Sequence, residues 1–486
     1  MKRPTRINWL EDEDVERIIG EAIVILAETG VYIENEEVLS IVSDAGIRTC
    51  DFRAFMPEDV VRNAVESAPE RVTVYNRLGK PAMDLGGSSL NFNPGSSAVQ
   101  ILRHGSNRTE VPDSGDLVRF AILTDYLEAY DAQSTALVPG DVPQAIADRY
   151  RLYLALKFSP KPVVTGTFSL DGFEPMNDML RAAAGGEKEL RAGPIAVFDC
   201  CPTSPLLWSD LTAGNLVDCA RAGIPAQIVP MPLAGATSPV TLAGTITQQC
   251  AENLSGIVIN QIAAPGAPVI YGGSPACFDM RKGTTPMGAV ETQIIGGAAA
   301  QIAECLGLPS HAYMALSDSK AVDYQAGMET AMSAVIAAFS GVNNVSGPGM
   351  HNFQTCQSME KLVLDHEVCM MAKRLREGIR IDGSGSAKEI IEEGIRKKTF
   401  LSLENTLKFY REVTYFPDSV IDRTMGDSEG DVSEGDIIER ASERVKEILR
   451  SHRPVPLEEE KSRAIEEIMT REAEKSGMDN LPELRD

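Results

Sequence analysis

Eight short β-prone runs, each followed by enough chain for a helix, govern what this sequence can fold into. They are SLNFNPG (89–95), AQSTALVPGD (132–141), KPVVTGTFS (161–169), GPIAVFDCCP (193–202), PAQIVPMPLAG (225–235), APVIYGGSP (267–275), SHAYMAL (310–316) and NNVSGPG (343–349), after an RVTVY lead-in at 71–75. Strands spaced by helices pair in parallel, because a parallel neighbour is reached only through a long crossover. Eight such units predict an α/β chain folded as a (β/α)8 TIM barrel. One complete unit is legible in Ser238 to Pro275: a helix of small and apolar residues, a Pro/Gly turn, and a buried strand ending in glycines. The competing architecture is a doubly wound open sheet. It lacks support, since no G-x-G-x-x-G opens a helix after the first strand and no P-loop is present.

Residues 12–70 carry three amphipathic helices ahead of the barrel units. Val15, Ile18, Ile19, Ala22, Ile23 and Leu26 recur at helical spacing before Gly30, Asn35 caps a second helix that stops at Gly46, and a third opens at Pro57. Beyond about residue 380 the chain turns charged and helical, as in DIIERASERVKEILRS (436–451), with GDSEGDVSEGD (426–436) read as a linker. The expected organisation is an N-terminal helical layer over 1–80, the barrel over 81–380, and a C-terminal helical extension over 381–486. That extension offers a surface for self-association into a homo-oligomer.

Composition narrows the function. A chain of 486 residues that is 43% hydrophobic can bury a full-size core. Its formal charge of −24 argues against nucleic acid, which selects clustered Lys and Arg. No run approaches the roughly 18 apolar residues of a membrane span, and the N-terminus turns acidic at Glu11 before any signal-like apolar stretch, so a cytoplasmic protein is expected. The nine cysteines show no metal-ligand spacing and are read as free thiols.

If the barrel forms, the segments just after the strands make the reactive face. Those segments carry Phe92 and Asn93, Phe168, Asp199, Tyr271 and Ser274, Tyr313 and Asp318, and the loop Ser346 to Phe353. Aromatic and acidic groups dominate. Aromatic faces attract cations through the ring quadrupole, and quaternary ammonium ions suit them well; each ring taken singly also fits ordinary core packing. In the loop SGPGMHNFQT, glycines let backbone approach a flat ligand and Pro348 stiffens the turn. A phosphate site is weakened there by the absence of a nearby Lys or Arg. Asp318 precedes a helix start, where a cap is the ordinary role. Glu291 follows Arg281, with which it can pair, and Arg281 can equally bind a substrate carboxylate.

Several blocks in one order, SPLLWSDL, PLAGATSPVTLAGT, AENLSGIVINQ, PGAPVIYGG, the DMRKG turn, SDSKAVDYQAGMET, SGPGMHNFQT and NTLKFYREVTYFPDSVIDR, resemble the trimethylamine methyltransferase superfamily in its large branch without pyrrolysine. The resemblance runs from the N-terminal helices to about Asp422. It implies a TIM barrel that works with a small cobalamin-binding protein, moving a methyl group from an amine to Co(I) of the corrinoid. A quaternary ammonium leaves as a neutral tertiary amine and needs no proton, so positioning and desolvation suffice. A substrate such as glycine betaine or a related betaine is therefore favoured.

Under that resemblance Phe92, Phe168, Tyr271, Tyr313 and Phe353 supply cage walls, with Asn93 beside them. Glu291, Asp199 or Asp318 offsets the ammonium charge, and Arg281 holds a betaine carboxylate. His351, with Gly347, Gly349, Met350 and Asn352, meets the corrin; its imidazole ligates cobalt, touches the macrocycle edge, or satisfies a buried hydrogen bond. His351, Glu291 and Asp318 are the expected catalytic residues. Two alternatives stand beside this reading: a noncatalytic betaine-binding or sensing protein on the same barrel, and an unrelated barrel lyase or hydrolase.

Overall fold

A computed structural model describes residues 5–106, 108–379, 381, 385–425 and 436–484. All of the expected linker except Asp436 lies outside the described residues. Each of the eight β-prone runs contributes one parallel strand: β1 (Asn91–Asn93), β2 (Gln133–Ser134), β3 (Val163–Thr165), β4 (Ala196–Cys200), β5 (Ala226–Ile228), β6 (Val269–Tyr271), β7 (His311–Tyr313) and β8 (Asn344–Ser346). Strands β2 to β6 form one parallel sheet in chain order, and β7, β8 and β1 form another. Single parallel bridges, Tyr271 to Ser310 and Phe92 to Tyr130, connect the edges of the two. The arrangement is TIM-barrel-like.

The lead-in has a structural use that the sequence did not disclose. Val72–Tyr75 and Pro81–Leu85 pair as an antiparallel hairpin. Its Val72, Val74, Met83 and Leu85 pack with Ala132, Val164, Val197 and Ile270 in a cluster separate from the main core. The amides of Tyr75 and Arg77 donate to the carbonyls of Pro194 and Pro160, both ahead of strands, so the hairpin closes the end where the strands begin.

Helix Leu242–Ala263 is buried along nearly its whole length, which explains why it has no charged solvent face and why its polar side chains, such as Glu252 and Asn253, are hydrogen-bonded internally. Helices Asp12–Glu28, Glu58–Ser67, Asp210–Ala222 and Val290–Cys305 pack around it. Thr241 caps it, accepting from the Gly244 amide at 3.3 Å. A Cβ at Gly256 would lie 2.6 Å from the Trp208 ring and 2.7 Å from Ile228 of β5, so glycine sets how closely this helix approaches the sheet. In the N-terminal layer the six expected apolar positions of Asp12–Glu28 are all buried, and Asn35 accepts from the Val38 amide at 2.9 Å as the cap of Glu36–Asp44.

The C-terminal region divides in two. Helix Ile437–Ser451 packs on Ser114–Tyr126 and Met359–Glu377, and Glu459–Lys475 packs on Ala147–Phe158 and Phe173–Ala184, so their apolar faces complete the helical coat. Helices Ala387–Lys397 and Glu404–Val413 instead leave Ile391, Ile395, Leu407 and Val413 exposed. Among the described residues no helix is long and apolar enough to cross a membrane, and no group of three or more potential ligands gathers for a metal. The nine cysteines are free.

Candidate active site at the strand ends

Beyond the apolar cluster under the hairpin the inward side chains become polar, and they join across strands. The Ser346 hydroxyl donates to Asn93 Oδ1 at 3.0 Å and lies 3.1 Å from His311 Nε2. Asn344 donates to Gln227 Oε1 at 2.9 Å, Gln227 donates to Asp199 Oδ1 at 2.7 Å, and the Tyr313 hydroxyl donates to Asp199 Oδ2 at 3.2 Å. The period of two explains the set: residues 311 and 313 share one side of β7, as 344 and 346 share one side of β8. Asp199 and Tyr313 end the network at the end of the strands, where both keep some contact with solvent.

Burial raises the Asp199 carboxyl to about 7, against the opposing pull of Gln227, Tyr313 and the Arg151 charge. Burial also lifts the Tyr313 phenol well above its usual range, with the Asp199 charge adding to it. His311 is pushed down to about 3 by burial and is therefore neutral; its ring stands edge-on to Tyr313 at 5.1 Å.

Arg151 reaches the same region from helix Ala147–Phe158. Its Nη2 donates to the Ser97 hydroxyl at 3.0 Å and to the Thr135 carbonyl, and its Cζ lies 4.7 Å from the centre of the Phe168 ring. Its Nε and Nη1 have no partner among the described residues. The loop bearing Phe168 is tied down by Asp148, which accepts the Phe168 amide at 2.7 Å. Sequence reasoning restricted to strand ends passed over Arg151. The available signal was the charged DRYR opening of ADRYRLYLALKF, a helix in which every residue from Ala147 to Leu156 is buried.

The expected aromatic set is only partly assembled. Phe168 and Tyr313 flank Arg151 and Asp199, whereas Phe92 and Tyr271 point outward into the helical coat. The Phe92 ring lies 5.8 Å from Lys373 Nζ of helix Met359–Glu377, and Tyr271 sits beside Cys250. Their phase follows from the alternation that turns Asn93 and Ile270 inward. Phe353 is half-buried in a left-handed turn, with φ of 48°, 57° and 65° at Asn352, Phe353 and Gln354. Such a run of non-glycine residues is strained. Gln354 donates to Ser274 Oγ at 3.3 Å, tying this turn to the segment after β6.

The remaining expected residues are placed apart from the Asp199 network or are already engaged. Asp318 accepts the amides of Met287 and Gly288 at 2.9 and 2.7 Å, and burial raises its carboxyl to about 6. It clamps that loop, while Asp323 caps the following helix. Glu291 is exposed in the first turn of Val290–Cys305, where a negative charge complements the helix dipole. The Arg281 side chain is 87% exposed and bonds Asp279 at 2.9 and 3.0 Å.

His351 is wholly buried, and neither ring nitrogen has a partner among the described residues. Burial first, and the Lys361 charge second, lower it to about 3, with the Ser319 backbone opposing. Gly347, Gly349 and Met350 are buried too. A Cβ at Gly347 would overlap the Met314 carbonyl, and the Gly349 amide donates to Asp365 at 2.7 Å. These glycines therefore serve internal packing, and only Asn352 to Thr355 of this loop turn outward. The outer face of the strand ends carries a different surface: Phe168, Leu170, Met231, Val240 and Met280, each at least 41% exposed, follow β3, β5 and β6.

Comparison with known proteins gives a consistent result. The family model described as trimethylamine methyltransferase (MTTB) matches residues 1–477. The chain is 31% identical to the glycine betaine methyltransferase of Desulfitobacterium hafniense (strain Y51), over 94% of this chain and 95% of that protein. It is 30% identical to trimethylamine methyltransferase MttB of D. hafniense (strain DSM 10664 / DCB-2), over 96% and 94%, and 31% identical to MttB of Methanosarcina thermophila, over 93% and 95%. The crystal structure of the Methanosarcina barkeri monomethylamine methyltransferase (MtmB) covers 97% of this chain and 89% of its own at a TM-score of 0.53 and 12% identity, which is a likeness of fold.

Proposed function

The chain belongs to the trimethylamine methyltransferase family, and from that premise we propose that it takes a methyl group from a quaternary amine, glycine betaine or a related betaine, and delivers it to the reduced corrinoid of a separate carrier protein. The reading takes the eight strands as one closed (β/α)8 barrel, supported by the two parallel bridges that connect the sheet edges. The observation that carries it is Asp199: a carboxyl largely withdrawn from water at a strand end, bonded by Gln227 and Tyr313, with the Arg151 charge close by. A cation seated against it draws the carboxyl into its charged form.

The corrinoid, when docked, supplies the cobalt nucleophile that accepts the methyl group. The exposed apolar rim formed by Phe168, Leu170, Met231, Val240 and Met280 fits a broad, partly greasy macrocycle. His351 lies too deep to reach such a ligand while its loop keeps this packing, so its proposed part is to fill the space beneath that loop. Tyr313 and Phe168 offer ring faces to the ammonium, Asp199 offsets its charge, and the surrounding apolar side chains keep water away. The departing tertiary amine is neutral and asks for no proton. His311, held unprotonated at neutral pH behind Tyr313, fits that requirement.

The test is to mix the protein, a reduced corrinoid carrier and a panel of methylated amines, and to follow the corrinoid spectrum. Conversion to the methylated form with a betaine is expected. Betaine binding without any spectral change would favour the sensing alternative and remove the enzymatic reading.

A further inference from the structure

Within that betaine reading, we propose that Arg151 is the receptor for the substrate's carboxylate and that Phe168 is a cover the substrate displaces from it. Arg151 is 1% exposed, and among the described residues its only hydrogen bonds, both from Nη2, go to the neutral oxygens of Ser97 and Thr135. Three of its five N–H groups, on Nε and Nη1, meet no acceptor among the described residues. A guanidinium stays charged in any protein setting near neutral pH, and burying its donors without acceptors is costly. The neighbouring carboxylates attract it without bonding it: Asp148 accepts the amides of Arg149 and Phe168, and Asp199 accepts from Gln227 and Tyr313.

What covers Arg151 is the Phe168 ring, 41% exposed and 4.7 Å from Cζ. The Phe168 amide is fixed to Asp148, so the ring leaves by side-chain rotation while the backbone stays. A zwitterion answers both groups at once. Its carboxylate takes the guanidinium that the ring vacates, and its ammonium takes the ring and Asp199 in place of Arg151. A simple tetraalkylammonium has nothing to offer the uncovered guanidinium and is repelled by it. The site therefore distinguishes a betaine from a bare quaternary cation, a task that the exposed, Asp279-paired Arg281 is poorly placed to perform.

Titration calorimetry on the full chain with glycine betaine and with tetramethylammonium tests the assignment. Arg151→Gln is expected to weaken betaine binding on the order of 10- to 100-fold, the loss of one charge-assisted contact, and to leave tetramethylammonium binding unchanged or stronger. Betaine affinity within twofold of the unmodified protein would overturn it. Because that variant removes a buried group, Phe168→Trp gives a second reading with Arg151 intact: indole emission should shift with betaine and not with tetramethylammonium, and an unmoved signal with saturating betaine rejects the cover. Unmodified protein that neither binds betaine nor methylates the corrinoid would instead refute the enzymatic reading. Methyl transfer that persists unchanged in Arg151→Gln refutes this assignment alone.

Discussion

Asp199 carries the charge on which the proposed chemistry turns, and its raised pKa makes two opposite predictions. Below about 7 the carboxyl is neutral, so affinity for a quaternary cation should rise as pH climbs through 7. Stability moves the other way. Between the ordinary carboxylate range and about 7 the folded protein holds a proton that the unfolded chain has released, so folding weakens as pH rises across that window. Asp199→Asn should flatten both trends, as read by calorimetry and by urea midpoints from pH 4 to 8; an unchanged slope would detach Asp199 from them. His351 supports a prediction of its own. Its buried ring nitrogens make no well-formed hydrogen bond among the described residues, and the pull of the Ser319 backbone is weaker than the burial that opposes it, so His351→Leu should leave stability unchanged or raise it by about 1 kcal/mol. A loss of about 2 kcal/mol or more on urea unfolding would show that the imidazole has a partner holding it.

At the scale of elements, the close approach of helix Leu242–Ala263 to β5 depends on Gly256. Alanine in mid-helix ordinarily gains about 1 kcal/mol over glycine. Here its Cβ would meet the fully buried Trp208 ring and Ile228 inside van der Waals contact, and overpacking of that kind costs about 1–3 kcal/mol. Gly256→Ala should therefore lower the urea midpoint; a rise would mean that the ring yields. The elements themselves were legible, because β-prone runs, Asn35 and the Pro/Gly turn at 265–266 act locally. Side-chain direction was not. A strand of three residues offers no alternation from which to read phase, and so Phe92 and Tyr271 read as wall residues although both face the helical coat.

For the whole molecule, the exposed apolar faces of Ala387–Lys397 and Glu404–Val413 are the least finished part of the surface. Burying them against a second copy would complete it, and light scattering after gel filtration is expected to report a species larger than one chain. Ile395→Asp with Leu407→Asp should return it to a monomer; an unaltered mass would free those helices from that role. The sequence by itself determined the order of units, the helical layers at both ends and the family, because these rest on short-range pattern and on blocks whose order survives divergence. Only the tertiary structure decided which side chains meet at the strand ends. Arg151, Gln227 and Asn344 come from a helix and two strands far apart in the chain, and their meeting depends on long-range packing that no local pattern encodes. The same packing sealed His351 and its glycines inside the fold, since close contact with Met314 and Asp365 lies outside anything the loop's own residues express.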